Sequence, residues 1–496
     1  MTKSPEPVII LFSQTRGMPE QDCACAVESA PPLALWAPPE EVSGDDCACS
    51  EPITALYSSS DAPDALWQLP GDLYRVGLTH EYELCFNPAT PLNVVVLNTT
   101  ACDVLDSFYR PRPLMSETDR RLATPGLLTP LSAPTTRKAG TQNYVLTVWL
   151  HLTEACNLRC SYCYVRPGHR TMDAQTGYAA LESVFRSALA NGFHTVKLKY
   201  AGGEPTLCWP LVHLLHDKAR ELAMQHTVGL QEVLLSNGTT LDKGMVEWLR
   251  RERVKLMLSL DGLGPVHDAH RHYADGRGSF TQVISSIELA LEHGLVPFLS
   301  ITVAPGNVNE LPGVIAFALE RDLPFNLNFV RSQALPLSQA EQESFTAGIR
   351  AGLRVIEAAL PRRRLIDGLL DRSNFSAPHA YACSAGRSYL VIDTDGKVFR
   401  CQMAMDQPVT DVYAADPLRV VREWRGGFQS ISVEDKEDCR HCPWRYWCAG
   451  GCPLLAYQTS GRSDAPSPYC AVYRAIYPDV VRLEGLRLLK WSPVAA

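Results

Sequence analysis

The stretch EACNLRCSYCYV, residues 154 to 165, places Cys156, Cys160 and Cys163 in a Cys-x3-Cys-x2-Cys spacing. Thiolates are soft, anionic ligands suited to zinc and to iron-sulfur centres. A tetrahedral metal asks for a fourth ligand, and His151 is the imidazole that could complete a zinc knuckle here.

A second constellation lies toward the C-terminus. Cys383 is followed by twelve residues, Gly396, four residues and Cys401; then come Cys439-x2-Cys442-x5-Cys448-x3-Cys452 and, seventeen residues later, Cys470. Taken alone, Cys439 to Cys452 would suit a zinc ribbon. The piece SYLVIDTDGKVFRC reads as a hairpin turning at Asp395-Gly396, which brings Cys401 back toward Cys383.

The elements that must carry these thiols alternate from residue 142 onward. Apolar runs at 145–152, 195–203, 232–238, 255–262, 297–304 and 325–331 are separated by amphipathic segments such as 178–192 and 210–223. Strand followed by helix, repeated six times, predicts a parallel sheet with right-handed crossovers, an open or partial barrel. Chemistry on such barrels collects where the strands end. The first strand runs into the three-cysteine loop, and the second into Gly202-Gly203-Glu204-Pro205. The third runs into Ser236-Asn237-Gly238, and the fourth into Ser259-Leu260-Asp261-Gly262.

Cys-x3-Cys-x2-Cys after a first strand, with GGEP after the second, resembles the radical S-adenosylmethionine (SAM) superfamily. That resemblance implies a 4Fe-4S cluster held by Cys156, Cys160 and Cys163, whose fourth iron binds SAM, so three thiols suffice. It implies reductive cleavage of SAM to a 5′-deoxyadenosyl radical that takes a hydrogen atom from a substrate, fed by an electron donor such as flavodoxin or ferredoxin. It further implies that Gly202, Gly203, Glu204 and Pro205 receive the methionine amino group. Tyr162 would lie against adenine, and Ser236, Asn237, Ser259, Asp261 and Arg271 would contact ribose and carboxylate. A loop cap or turn hydrogen bond is the plain alternative for each of these polar residues.

The seven later cysteines resemble the SPASM extension of peptide-modifying members, which implies two auxiliary 4Fe-4S clusters and three in all. By that likeness Cys439, Cys442, Cys448 and Cys470 hold one, and Cys383, Cys401 and Cys452 the other. Many relatives carry a further cysteine just before the first of the seven, but SNFSAPHAYAC has none; an open iron or His379 are the alternatives. The aromatic run Pro443 to Trp447 is expected to shield a cluster from water.

Composition narrows the class. The chain has 496 residues, 46% hydrophobic and 20% charged, with net charge -8 and no long basic run, which argues against nucleic-acid binding. The apolar stretch Val8 to Phe12 is too short for a signal core or membrane span, so a cytoplasmic location without membrane attachment is expected. In a reducing compartment the 17 cysteines are better read as metal ligands than as disulfides. Cys85, Cys102 and Cys208 are expected to be small buried hydrophobes.

The expected organisation is an irregular Cys- and Pro-containing region at 1–70, a winged-helix-like peptide-recognition domain at 71–136, and a partial (β/α)6 barrel at 142–345. A helical bridge at 346–382, a cysteine domain at 383–475 and a C-terminal helix at 476–496, broken near Pro478, complete it. Two Asp-Cys-Ala-Cys repeats carry Cys23, Cys25, Cys47 and Cys49, as incidental residues or as a metal or thiol site. In 71–136, EYELCF and NVVVLN read as strands, and the threonines of TTACDVLDSFY as a helix cap with Val104, Leu105 and Phe108 on one face. This order resembles the winged-helix domain by which peptide maturases bind a leader peptide through an added strand.

The expected function is that of a peptide maturase that joins side chains of a ribosomally made precursor through a carbon-carbon or thioether bond. The alternatives are an anaerobic sulfatase-maturating type, which makes formylglycine, and a non-catalytic iron-sulfur carrier or zinc-stabilised module. Sulfatase-maturating enzymes carry an aspartate directly after the cysteine that matches Cys401; Gln402 stands here.

Overall fold

The computed structural model describes residues 9–12, 65–88, 94–131, 145–331, 336–364, 368–375 and 378–492. The two Asp-Cys-Ala-Cys repeats lie outside the described residues.

The first part is a small antiparallel sheet in the order β1-β5-β4-β3, built from β1 (Ile10–Phe12), β3 (Tyr74–Gly77), β4 (Tyr82–Phe86) and β5 (Val95–Asn98). A two-stranded ribbon, β2 (Trp67–Gln68) with β6 (Thr129–Pro130), flanks it. The strand β1 lies within the region expected to be irregular. It is held because Ile10, Leu11 and Phe12 pair with Leu97, Val96 and Val95, and Ile10 joins their core.

The helix α1 (Thr99–Asp106) is capped not by a threonine but by Asn98, whose side chain accepts from Ala101 N at 3.1 Å. The helix α2 (Glu117–Ala123) went unread because it buries little beyond Asp119 and Leu122. Its signal was the reciprocal Ser116/Asp119 capping box. Cys85 and Cys102 are buried as expected, whereas Cys208 is only half-buried.

The central sheet contains six parallel strands in chain order: β7 (Val145–Thr153), β8 (Thr195–Gly202), β9 (Gly229–Ser236), β10 (Lys255–Ser259), β11 (Phe298–Val303) and β12 (Phe325–Phe329). Between and after them run α3 (Ala174–Ala190), α4 (Trp209–His226), α5 (Lys243–Arg251), α6 (Pro265–His270), α7 (Phe280–Glu292), α8 (Leu311–Glu320) and α9 (Gln339–Ala358). The strands are almost wholly buried, as parallel strands covered by helices must be. Asp173 and Asp242 cap α3 and α5 by accepting from Thr176 N and Met245 N at 2.8 Å, which fixes where two crossovers begin.

The sheet does not stop at β7. The hairpin read around Asp395-Gly396 forms β13 (Tyr389–Ile392) and β14 (Lys397–Phe399); β13 pairs parallel with β7, and β15 (Thr410–Asp411) closes the edge. The cysteine domain is therefore continuous with the barrel sheet, which no local pattern announced. Beyond it come α10 (Pro417–Glu423), α11 (Arg445–Cys448), α12 (Pro453–Ser460) and α13 (Cys470–Trp491).

Two expectations are corrected. The bridge expected to be helical over 346–382 has its helix at Gln339–Ala358, started by a Ser338/Glu341 capping box, and no helix in its later described residues. The C-terminal helix begins at Cys470 and passes through Pro478 unbroken. A proline inside a helix costs about 3 kcal/mol. Tyr473, Ile476, Tyr477, Val480 and Val481 are buried on both sides of it, and each such side chain returns about 1.5–3 kcal/mol.

Candidate active site and cysteine centres

The strand β7 delivers the three-cysteine loop to the C-terminal end of the sheet, where it is braced from two sides. Gly203 N donates to Thr153 O at 2.6 Å and Glu204 N to Ala155 O at 2.9 Å. A Cβ at Gly203 would stand 2.2 Å from Ala155 O, so only glycine permits this approach. From the other side, Arg159 N donates to His272 O at 2.8 Å, Ser161 N to His270 O at 3.0 Å and Ala274 N to Asn157 O at 3.0 Å. This brace from the end of α6 and the segment after it was invisible in sequence, because it is made mainly by backbone atoms, with one side-chain contact, Ser161 Oγ to His270 Nδ1 at 3.2 Å.

One cavity gathers the loop and the strand ends. Cys156, Cys160 and Cys163 line it together with Tyr162, Gly202, Gly203, Ser236, Asn237, Ser259 and Arg271. Glu204, Pro205 and Asp261 do not line it; they stand behind it as supports. Glu204 is fully buried, its Oε1 accepting from Thr206 Oγ1 at 2.6 Å and Ser236 Oγ at 2.9 Å, its Oε2 from Asn237 N at 2.7 Å. Burial raises its pKa above the ordinary value, although each of those hydrogen bonds pulls the other way.

Asp261 works similarly. Its Oδ1 accepts from Thr302 N at 2.7 Å, and its Oδ2 from Arg271 Nε at 2.6 Å and from the Tyr162 hydroxyl. Burial acts to raise its pKa, but Arg271, then His267 and Tyr162, outweigh that and hold it low. Tyr162 is thereby tethered by its hydroxyl while its ring faces the cavity and lies 5.5 Å from the Arg271 guanidinium.

Donors point at the sulfurs. Leu158 N lies 3.4 Å and Asn237 Nδ2 3.8 Å from Cys156 Sγ, and Arg271 Nη1 lies 3.7 Å from Cys160 Sγ. Burial raises the Cys160 thiol to about 11, with Arg271 opposing it. Ligation to iron would remove that proton.

Among the described residues no three His, Cys, Asp or Glu side chains converge closely enough for one ion, the spacing a zinc knuckle needs. His151 is buried in β7, its pKa lowered to about 4 by burial, and does not line the cavity. Three cysteines on one short loop, with Gly202 and Gly203 beside them in the cavity wall, are a donor set that suits a 4Fe-4S cube with one corner left for an amino-acid ligand.

The same cavity is also lined by residues unread in the sequence, Ser300, Thr302, Asn328, Arg331 and Arg372, and by Gln402. The signal for Asn328 was a polar residue inside the apolar run FNLNFV; its Nδ2 donates to Ser300 Oγ at 3.0 Å. Arg331 is ion-paired with the buried Asp371, which also accepts from Tyr473 OH at 2.9 Å. Gln402 Oε1 accepts from Tyr389 OH at 3.0 Å.

The later cysteines fall into two groups. Cys439, Cys442, Cys448 and Cys470 line one small cavity, with Trp444, Tyr473 and Tyr477 in its wall. Cys401 feels the charges of Cys383 and Cys452, and burial raises its thiol to about 12. His379 is buried, its N–H bonded to Tyr446 O at 2.8 Å, in the loop of the four-cysteine group.

Trp444 and Trp447 pack against Phe86 of the N-terminal sheet with ring centroids 5.5 and 4.4 Å away, so the loop expected to shield a cluster also fastens that sheet to it. No helix among the described residues is long and apolar enough to cross a membrane.

Residues 150–317 match the family described as the Radical SAM superfamily. The chain is 22% identical over 376 residues to a cysteine-type anaerobic sulfatase-maturating enzyme of Clostridium perfringens, spanning 66% of this chain and 93% of that one. It is 25% identical over 349 residues to mycofactocin maturase MftC of Mycolicibacterium smegmatis, spanning 64% and 81%. Among solved structures, native anSMEcpe with bound AdoMet has TM-score 0.57 at 17% identity, covering 69% of this chain and 99% of that chain. This last likeness is one of fold. The barrel is a radical SAM domain, which implies a 4Fe-4S cluster and SAM.

Proposed function

We propose that this chain, whose residues 150–317 form a radical SAM domain, is a peptide maturase that cross-links side chains of a ribosomally made precursor through a carbon-carbon or thioether bond. The observation that carries this reading is the shared cavity. Its wall holds Cys156, Cys160 and Cys163 together with Gln402 and Met403, the two residues directly after Cys401. A substrate seated there would reach both the radical source and an auxiliary centre. The substrate class, a peptide, follows the solved structure of similar fold that holds one, native anSMEcpe with bound AdoMet and Cp18Cys peptide.

When bound, SAM with the cluster at Cys156, Cys160 and Cys163 supplies a 5′-deoxyadenosyl radical, and two further clusters, at Cys439/Cys442/Cys448/Cys470 and at Cys383/Cys401/Cys452, supply sites for an electron. The chain's own residues orient and exclude. Gly202 and Gly203 open the edge for the methionine amino group, with Pro205 and Glu204 fixing that edge from behind. Ser236, Asn237 and Ser259 face the ribose and carboxylate, and Tyr162 faces adenine. Asp261 orients Arg271 and Tyr162 together. Cross-linking removes two hydrogens from the peptide, one as an atom and one as a proton plus an electron. The electron leaves in the end to an external one-electron acceptor such as oxidised flavodoxin or ferredoxin, the class that also supplies the reducing electron. The N-terminal sheet, with β3 at its edge, is suited to hold a leader segment by strand addition.

A second reading, formylglycine formation, is favoured by the sulfatase-maturating relative and opposed by Gln402, whose amide cannot accept a proton as an aspartate would. One experiment separates the two. The enzyme is co-expressed with short open reading frames encoded beside it, and the peptides are analysed by mass spectrometry. Loss of two hydrogens with a cross-link located by fragmentation supports the maturase. A product that reacts with a hydrazide probe, as an aldehyde does, overturns it in favour of the second reading.

A further inference from the structure

We propose that Lys436 is a positioning residue for the two auxiliary clusters: a buried cation set between the two C-terminal cysteine groups, which raises the reduction potential of both. The inference rests on the auxiliary-cluster reading above and goes beyond it by assigning a non-ligand residue to them.

Lys436 is 1% exposed. It sits at the turn that starts the four-cysteine group, where Cys439 N and Arg440 N donate to its carbonyl at 3.0 and 2.9 Å. From there its side chain crosses to the Cys448–Cys452 loop and lies over Gly450, where an added Cβ would stand 2.6 Å from Nζ. That loop, Ala449-Gly450-Gly451, is left-handed at three consecutive residues, with φ of 45°, 82° and 71°. It joins Cys448 of one group to Cys452 of the other. A side chain at Gly450 would displace the ammonium, so the glycine keeps the lysine's path open as well as supplying the turn.

The groups whose charges favour the ammonium are Cys439, Cys448, Cys452 and Cys383, in that order, two from each group. Asp464, already paired with Arg462 at 2.8 Å, is a further charge coupled to it. A buried ammonium with thiolates as its chief anions is costly in the empty protein and well placed once clusters are present.

Each one-electron reduction adds a negative charge to a cluster. A fixed cation in a medium of low dielectric stabilises that added charge. Net charge and surroundings are among the levers that set iron-sulfur potentials. Lys436 does not line the cavity of Cys156, Cys160 and Cys163, so its effect is exerted through the auxiliary clusters.

The test compares the full chain with K436M, which keeps length and removes charge, and K436R, which keeps charge. All three carry C156A, C160A and C163A so that only auxiliary clusters contribute signal. Iron and sulfide are counted after anaerobic reconstitution, and midpoint potentials are read by electron paramagnetic resonance during redox titration. The expected result is a shift of the oxidised-to-reduced ratio by about tenfold toward oxidised in K436M, or ~59 mV more negative for a one-electron couple, with K436R close to the parent. Loss of iron from K436M with retention in K436R also supports a role for charge. Unchanged potentials in K436M with clusters retained, or loss of iron from both variants, overturn the inference. A parent that binds no iron in this background instead removes the auxiliary-cluster reading itself.

Discussion

Asp261 aims Arg271 at a cysteine sulfur. The carboxylate Oδ2 accepts from Arg271 Nε at 2.6 Å, while Arg271 Nη1 lies 3.7 Å from Cys160 Sγ. Both side chains are largely withdrawn from water, at 0% and 11% exposure. Because the same Oδ2 accepts from the Tyr162 hydroxyl, one carboxylate sets two cavity-lining side chains. Replacing Asp261 by Asn leaves a buried guanidinium without its counter-charge, which costs about 3–5 kcal/mol. Anaerobic thermal unfolding of D261N should show that loss, and 5′-deoxyadenosine release should fall with it. A variant with parental stability and parental SAM cleavage would remove Asp261 from the site's framework.

Gly203→Ala tests the brace. The added Cβ meets Ala155 O at 2.2 Å, a backbone atom that cannot swing aside. The three-cysteine loop must shift, so iron at Cys156, Cys160 and Cys163 should be lost while iron at the later cysteines remains. Iron counting and electron paramagnetic resonance distinguish this from general misfolding, in which all iron would be lost together.

How much of this was legible depended on whether the signal was local. The six strands and the glycines and serines at their ends follow from period and punctuation, and they fall within a few residues of the observed elements. The grouping of Cys439, Cys442, Cys448 and Cys470 apart from Cys383, Cys401 and Cys452 came by resemblance alone, since spacing does not say which thiols share a centre; the first four line one cavity. Pairing of β13 with β7 joins residues more than 200 positions apart and leaves no mark in either segment. The supporting role of Glu204 and Asp261 was also hidden: a buried carboxylate that holds a loop has the same sequence signature as one that touches a ligand. Pro478 misled because local propensity was outweighed by the burial of Tyr477 and Val480 around it.

The barrel's outer face carries a pH-dependent contact. His216 Nδ1 lies 2.9 Å from Glu232 Oε2, and Nε2 lies 3.5 Å from Glu252 Oε2, with His216 at 2% exposure. Burial opposes its charge, yet the Glu232 hydrogen bond and charge outweigh that and raise its pKa above 6.5. A raised folded-state pKa means stability fully present below the unfolded value and lost as pH rises through the folded one. The stability gap between parent and H216Q should therefore be largest below pH 6.5, at about 3–5 kcal/mol, and shrink above it. Denaturant unfolding across that range measures the gap; a gap that widens with pH would mean His216 is held neutral.

The two kinds of cysteine site should separate by what their loss abolishes. Cys160 lines the cavity beside Gly202 and Gly203, so Cys160→Ala should reduce 5′-deoxyadenosine release to background. Cys448 lines the smaller cavity behind Tyr473 and Tyr477, away from Cys156, Cys160 and Cys163. Its thiol, raised to about 12 by burial, must be deprotonated to bind iron and has no evident use as a free surface nucleophile. Cys448→Ala should thus leave SAM cleavage close to the parent rate while the cross-linked peptide fails to accumulate. The measurement pairs 5′-deoxyadenosine with peptide product in single-turnover samples. If both fall together in C448A while the iron at Cys156, Cys160 and Cys163 is retained, the distal group serves the radical-generating step itself, and its assignment as an electron site for product formation is wrong.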